Sequence, residues 1–354
     1  MKRFNKLLAL SLAMLMLVSL FAGCGGTEEI EAAPEAAPEA APEAAPETPE
    51  ETFTMVIGIQ NTQDAAVGKG YTHFKELIEE RSGGRITCDV HYGGTLGGQT
   101  DCLQALQMGT IQMAEITTST ATAVDNRFCV FDLPYLIDDI DNLLEIVYDR
   151  GAGDLLKASL EEASGGKLSI AGWMCISSRN VYSSRGPINS IADFDGLKIR
   201  TMESTTMIDA FKRLGAAPTA IASNERYLAL QTHVVDAAEN LLSYLITCKD
   251  YEVTEYVSLT NHLFTPNLMV VDKTWVEGLP EDLQTMVYEC ATEAGLWTTE
   301  TERADNDAAI AELEELGMKI NEVEDIDSIR EALTPMYDDY KGEVGDEIYS
   351  LFVS

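Results

Sequence analysis

At 354 residues, with 45% apolar and 7% aromatic content, the chain is long enough for two lobes with cores of their own. Its formal charge is -35, and removing residues 1–23, which carry Lys2, Arg3 and Lys6 and no acid, makes the remainder more negative by three. A field of that sign excludes nucleic acid as a partner and repels small anions at long range. An anion site must therefore rest on local arginines and backbone N–H groups.

The first 23 residues have the parts of a secretory signal. Lys2, Arg3 and Lys6 form a basic start, and 7–20 is an uncharged apolar run too short for a typical membrane span. The sequence Leu20-Phe21-Ala22-Gly23-Cys24 resembles a bacterial lipobox, which makes Cys24 the expected lipidated residue after cleavage. Up to residue 52 the chain is a Glu/Ala/Pro tether. Prolines at 34, 38, 42 and 46 remove helix donors at every fourth position, so within 24–52 the low-complexity stretch 27–52 reads as an extended spacer of roughly 80 Å at ~3.1 Å per residue.

From 53 onward the pattern is α/β. Residues 53–59 alternate as a strand, with Gln60-Asn61-Thr62 in the loop at its carboxyl end. A helix is predicted over 69–81, with Tyr71, Phe74, Leu77 and Ile78 on one face and Gly83-Gly84 as its stop. A strand follows at 86–92, a helix at 101–108 and a strand at 111–116 that ends in Thr117-Thr118-Ser119-Thr120. Ligands of open α/β sheets lie beyond strand carboxyl ends, which makes Gln60, Thr117 and Thr118 candidates by position.

An apolar run at 130–135 closes on Pro134, a long helix is predicted over 140–163, and 168–173 reads as a strand. Next comes a stretch that concentrates Arg179, Arg185 and Arg200. Residues 191–196 read as a turn or helical step and 196–199 as strand, so Arg200 leaves a strand end. A guanidinium so placed can fork a ligand carboxylate or pair with a surface acid, and residue type alone leaves both open. Further on, 206–214 is helical, 218–221 strand-like, 224–230 a short helix capped by Ser223 or Asn224, and 234–240 a strand entering a polar loop. A strand is predicted at 267–272, a helix from Pro280 at its first position to about 316, and a strand at 318–323. Last comes helix over 329–352, interrupted near Gly342 and Gly345.

No GxGxxG, Walker, GxSxG or HExxH pattern is present, and His73, His91, His233 and His262 are scattered. Cys88, Cys102, Cys129, Cys175, Cys248 and Cys290 lack CxxC spacing and read as free, small buried apolar groups. Neither a cofactor nor a metal site is expected.

Several motifs in order carry a family resemblance: LGGQTDCLQALQMGTIQM, FDLPYLIDDIDN, INSIADFDGLKIR, and ERYLALQTHVVDAAEN followed by LTNH and LPEDLQ. Over nearly all of 53–352 the chain resembles the extracytoplasmic solute-binding proteins of TRAP transporters, of the dicarboxylate and sialic-acid-binding type. His233 stands where that family often has glycine, and Ala237 where Asp-Gly is usual. The resemblance implies an α/β, two-lobe periplasmic-binding-protein-like fold with crossing strands and a long connecting helix. Lobe I would take 53–175 and 266–305, and lobe II 176–265 and 306–354. It also implies one organic acid in the cleft. Arg200 would make the bidentate carboxylate contact, supported by Arg179, with Asn240, Gln60 and Thr117 as further contacts. Glu203 would contact a hydroxyl or amine, or orient an arginine. The expected protein is a monomer, exported and lipid-anchored at the outer face of the cell membrane, that passes its ligand to a TRAP membrane permease and does no chemistry on it. The alternatives are a ligand-sensing subunit for a signalling partner and a secreted enzyme using Glu115, Glu203 or Asp236 as a base.

Overall fold

The structure, a computed structural model, describes residues 51–353; the signal-like segment, Cys24 and nearly all of the tether lie outside the described residues. Among the described residues there are eleven strands: β1 (Phe53–Gly58), β2 (Ile86–His91), β3 (Met113–Thr117), β4 (Leu168–Met174), β5 (Ser178–Ser183), β6 (Lys198–Thr201), β7 (Ala217–Ala220), β8 (Ala237–Asn240), β9 (Tyr256–Phe264), β10 (Asn267–Asp272) and β11 (Lys319–Glu322). They form two sheets, in the orders β2-β1-β3-β10-β4 and β11-β9-β5-β8-β6-β7. In the first sheet β1 runs parallel to β2 and β3, while β10 lies antiparallel between β3 and β4.

The chain passes from one sheet to the other where β4 gives way to β5, and returns where β9 gives way to β10. The two passages run side by side, since Asn267 opposes Met174 in the first sheet and Phe264 opposes Ser178 in the second. The helix Glu281–Glu315 makes a third passage and delivers the chain to β11 in the second sheet. It lies very close to β4. A Cβ on Gly172 would stand 2.4 Å from the Ala291 carbonyl oxygen, and one on Gly295 would stand 2.4 Å from that of Trp173. Nothing larger than glycine fits either position without displacing backbone. Thr299 ties the same seam, its hydroxyl accepting from the Cys175 N–H at 3.0 Å.

The α/β class, the two sheets, the crossing strands and the long connecting helix match the expected architecture. Every strand of the first sheet falls within 53–175 or 266–305, and every strand of the second within 176–265 or 306–354. The helices Met336–Val344 and Asp346–Phe352, by contrast, lie against Asn126–Asp132 and Ala152–Ala163: Tyr337 Oη donates to the Pro134 carbonyl at 2.7 Å, and the Phe131 and Phe352 rings meet edge-on at 5.2 Å.

Local structure departs from the sequence pattern at several points. The helix expected over 140–163 is broken: Ile140–Leu144 widens into a π-turn at Glu145–Asp149, and Gly151 at φ 83° restarts it as Ala152–Ala163. β5 and β9 were not marked as strands by periodicity. Their pairing slips between Arg179 and Val181, and Asn261 opposite takes φ 41°, so the alternation that marks a regular strand is lost at a bulge. The turn Ser223–Glu225 runs into the helix Arg226–Gln231 with no side-chain cap, because the Ser223 hydroxyl accepts from the Arg226 side chain instead. The last helical region breaks at Pro335 and Gly345, not at Gly342. All six cysteines of the described chain are free, five of them buried and Cys248 half-buried. No helix among the described residues is long and apolar enough to cross a membrane.

Candidate ligand cleft between the two sheets

The second sheet contributes a wall of arginines. Arg200 lies near the end of β6, between Thr219 of β7 and Ala238 of β8, and is 3% exposed. Its only hydrogen bond among the described residues runs from Nε to the Ile221 carbonyl at 2.8 Å, and its nearest carboxylate oxygen, on Glu239, is 4.0 Å away. The terminal guanidinium nitrogens thus have no close protein acceptor. Burial and the neighbouring Arg226 guanidinium together pull its pKa down to about 10, against the pull of Glu239.

Arg179 on β5 is held differently. Its Nε and one terminal nitrogen grip the Glu239 carboxylate, the same nitrogen reaches the Glu239 carbonyl at 2.7 Å, and the other donates to Asn240 Oδ1 at 2.9 Å. Glu239 is fully buried. Burial works against its charge, but Arg179 and His262 outweigh burial and hold the carboxyl down at about 2. Behind this pair a second buried one forms, Arg226 Nε to Asp250 at 2.6 Å, with Tyr182 Oη on the same carboxylate oxygen at 2.6 Å. The Tyr244 ring lies over the Arg226 guanidinium at 5.0 Å.

The first sheet contributes a wall of amides around one acid. Glu115 on β3 accepts from the backbone N–H of Gln60 (2.9 Å) and Asn61 (3.1 Å). It also accepts from the side-chain amides of Asn61 (2.6 Å), Gln99 (3.3 Å) and Asn267 (3.3 Å). Burial raises its carboxyl above the ordinary range against the pull of those donors. Gln99 Oε1 in turn accepts from the Thr117 N–H and from the hydroxyls of Thr117 and Thr120.

Between the walls lies a cleft of about 280 Å³, near the lower end of the roughly 300–1,000 Å³ usual for small-molecule sites. Gln60, Thr117, Arg179, Arg200, Glu203 and Asn240 all line it. Their roles differ, however. Gln60 turns its amide nitrogen to the Gly97 carbonyl at 2.5 Å, Thr117 holds Gln99, and Asn240 holds Arg179. Glu203 is exposed and touches no arginine; its carboxylate accepts from Thr100 Oγ1 at 3.5 Å. Glu115 and Glu203 reach the cleft but Asp236 does not, so the three acids considered as bases are not gathered. Glu302 of the long helix also lines the cleft, with Ser243 Oγ on Oε1 at 2.7 Å, and burial pushes its carboxyl up to about 7. Sequence reasoning missed Glu239, Arg226, Gln99 and Glu302. The one available signal was Glu239, an acid following the apolar pair Ala237-Ala238 in the strand-like run 234–240. His233 takes φ 57°, the left-handed conformation that glycine adopts freely. Among the described residues no group of His, Cys, Asp and Glu is arranged to hold a metal ion.

Two α/β sheets linked by crossing strands, with a polar cleft between them, define a solute-binding architecture. Comparison with known proteins makes the assignment specific: the chain belongs to the bacterial extracellular solute-binding proteins of family 7, whose sequence profile matches residues 57–343. It is 30% identical over 280 residues to the 2,3-diketo-L-gulonate-binding periplasmic protein of Escherichia coli, spanning 79% of this chain and 81% of that one. It is also 30% identical over 288 residues to the C4-dicarboxylate-binding periplasmic protein of Rhodobacter capsulatus, spanning 80% and 85%. The crystal structure of the sugar acid binding protein of Advenella mimigardefordensis in complex with galactonate superposes with a TM-score of 0.81 at 28% identity, covering 86% of this chain and 97% of that one.

Proposed function

We propose that the protein captures an organic acid by closing its two lobes over the cleft and delivers it to a TRAP-type membrane permease. The observation that carries this reading is Arg200: a buried guanidinium with a single hydrogen bond and its terminal nitrogens free of close acceptors is incomplete without an anion. The acids named for the relatives above support the same ligand class. In this reading Arg200 forks the ligand carboxylate. Arg179 and Asn240 stiffen the wall beside it, and Gln60 and Thr117 face the other end of the ligand. Glu203 closes the rim against Thr100. Lobe I comprises 53–175 and 266–305 and lobe II 176–265 and 306–354, with the helices Met336–Val344 and Asp346–Phe352 of the latter reaching back to pack on lobe I. Closure changes the outer faces of the lobes, which lets a permease distinguish loaded from empty protein. The protein acts as a monomer held at the membrane through Cys24.

A thermal-shift screen against a panel of organic acids, followed by calorimetry on Arg200→Ala, tests the capture step. The variant leaves a ligand carboxylate buried without its partner, a loss of ~3–5 kcal/mol or about two to four decades in affinity. Wild-type affinity in Arg200→Ala would refute the assignment. Mass spectrometry of the mature N-terminus tests the anchor, since an unmodified start beyond Cys24 rules it out.

A further inference from the structure

We infer that the cleft is built for a ligand with one carboxylate and a hydroxylated far end, and that Glu115 is the positioning residue that turns a second carboxylate away. The inference rests on the carboxylate reading of Arg200 and extends it to the rest of the ligand.

The first ground is the disposition of charge around the cleft. Three cations line it. Lys69 is engaged at 3.0 Å by Asp305, and Arg179 is engaged by Glu239, which leaves Arg200 alone with free terminal nitrogens. Six acids line the same cleft, Glu115 and Glu302 deeply buried among them. A ligand with two carboxylates would place the second on a wall with no unengaged cation, in a setting where like charges are poorly screened.

The second ground is the condition of Glu115 itself. Five donors already converge on its two oxygens: two backbone N–H groups on Oε2, and three side-chain amides on Oε1. A carboxylate offers about four lone-pair sites, so an incoming ammonium would have to displace a donor already in place. Glu115 therefore does not act as a counter-ion for a cationic ligand. It orients Gln60, Asn61, Gln99 and Asn267, and the surface they present is neutral and polar, matched to hydroxyl groups. The two walls are close enough to act on one small ligand. Both line the same cleft, and at its rim Glu203 accepts from Thr100 Oγ1 at 3.5 Å.

Isothermal titration with matched pairs of acids tests the inference on the wild-type chain. Erythronate and succinate have four carbons each, and galactonate and adipate have six. At the length that fits, the hydroxylated monocarboxylate is expected to bind at least a hundredfold more tightly than the dicarboxylate, and 4-aminobutyrate is expected to bind no better than succinate. A ratio below tenfold, or tight binding of 4-aminobutyrate, overturns the inference while leaving the Arg200 reading in place. Binding of no acid at either length removes both. In Glu115→Gln the ratio is expected to shrink at least tenfold, through a gain for the dicarboxylate that a purely structural role would not produce. Should that variant fail to fold, Thr117→Lys keeps Glu115 and adds a cation beside it. It is expected to reverse the preference towards the dicarboxylate, and an unchanged ratio there counts against the inference.

Discussion

The two walls of the cleft solve the same problem, a buried charge, in opposite ways. On the first-sheet wall Glu115 is surrounded by dipoles, and five N–H donors satisfy it without any ion of opposite sign. On the second-sheet wall charge meets charge, Arg179 with Glu239 and Arg226 with Asp250, and Arg200 is left with one carbonyl. The Glu115 carboxylate is complete as it stands, although Gln60 Oε1 and Asn267 Oδ1 beside it are buried without a hydrogen-bond partner, whereas on the second wall the terminal nitrogens of Arg200 lack a close acceptor. In the proposed reading Arg200 supplies the binding energy for the carboxylate, and the first wall supplies the selectivity, since its two unpartnered acceptors favour a ligand that can donate to them.

The sharpest way to break this contrast is to remove the ion that finishes most of the arginine wall. Glu239→Ala leaves the Arg179 guanidinium buried without its carboxylate, and should cost ~3–5 kcal/mol of folding stability in urea denaturation without ligand. Arg200→Ala in the same experiment removes the partner of the Ile221 carbonyl and the distant 4.0 Å pairing with Glu239, and should cost only about 1–2 kcal/mol while nearly abolishing acid binding. Equal losses in the two variants would mean that Arg200 is as much a structural ion as Arg179, and the distinction between a finished and an unfinished arginine would fall.

That distinction was only partly legible in the chain. Arg200 could be placed because it follows an apolar strand run, and Gln60 and Thr117 because they follow strands of the same kind. The two-lobe architecture with crossing strands and a long connecting helix was legible only through the family resemblance of the motifs, and the strands β5 and β9 were not legible at all. What periodicity could not show is which partner each arginine takes. Arg179 and Glu239 are 60 positions apart and meet only because β5 and β8 pair antiparallel, with Val181 opposite Glu239 and Asn180 opposite Asn240. Glu302 lies on a helix whose acids are mostly exposed, yet it is buried and accepts from Ser243, 59 positions away in sequence. Non-local pairing of this kind leaves no trace in local spacing.

Two buried acids give the contrast a pH signature of smaller size. Glu239, held at about 2, contributes stability that is present above the ordinary carboxylate range and is lost as pH falls from about 4.5 towards 2. Glu302 runs the other way. Its carboxyl titrates near 7 when folded and near 4.5 when unfolded, so its contribution is full below about 4.5 and is lost as pH rises through 7. Glu302→Gln keeps an acceptor for Ser243 and removes the charge. It should therefore raise the unfolding free energy by roughly 1–3 kcal/mol at pH 8 and by almost nothing at pH 4.5. A gain that is the same at both pH values would show that Glu302 is not the group whose burial costs stability at neutral pH.

The smallest effect belongs to the rim. Glu203 is exposed, lies 3.5 Å from Thr100 Oγ1 and touches none of the arginines, so its contact is worth no more than an exposed polar pair. Glu203→Ala should leave stability within ~0.5 kcal/mol of wild type. If the rim only closes the cleft, ligand dissociation should quicken about two- to threefold in stopped-flow displacement, with the association rate unchanged. A loss of affinity approaching that of Arg200→Ala would instead put Glu203 on the ligand itself, and selectivity would then be shared by both walls.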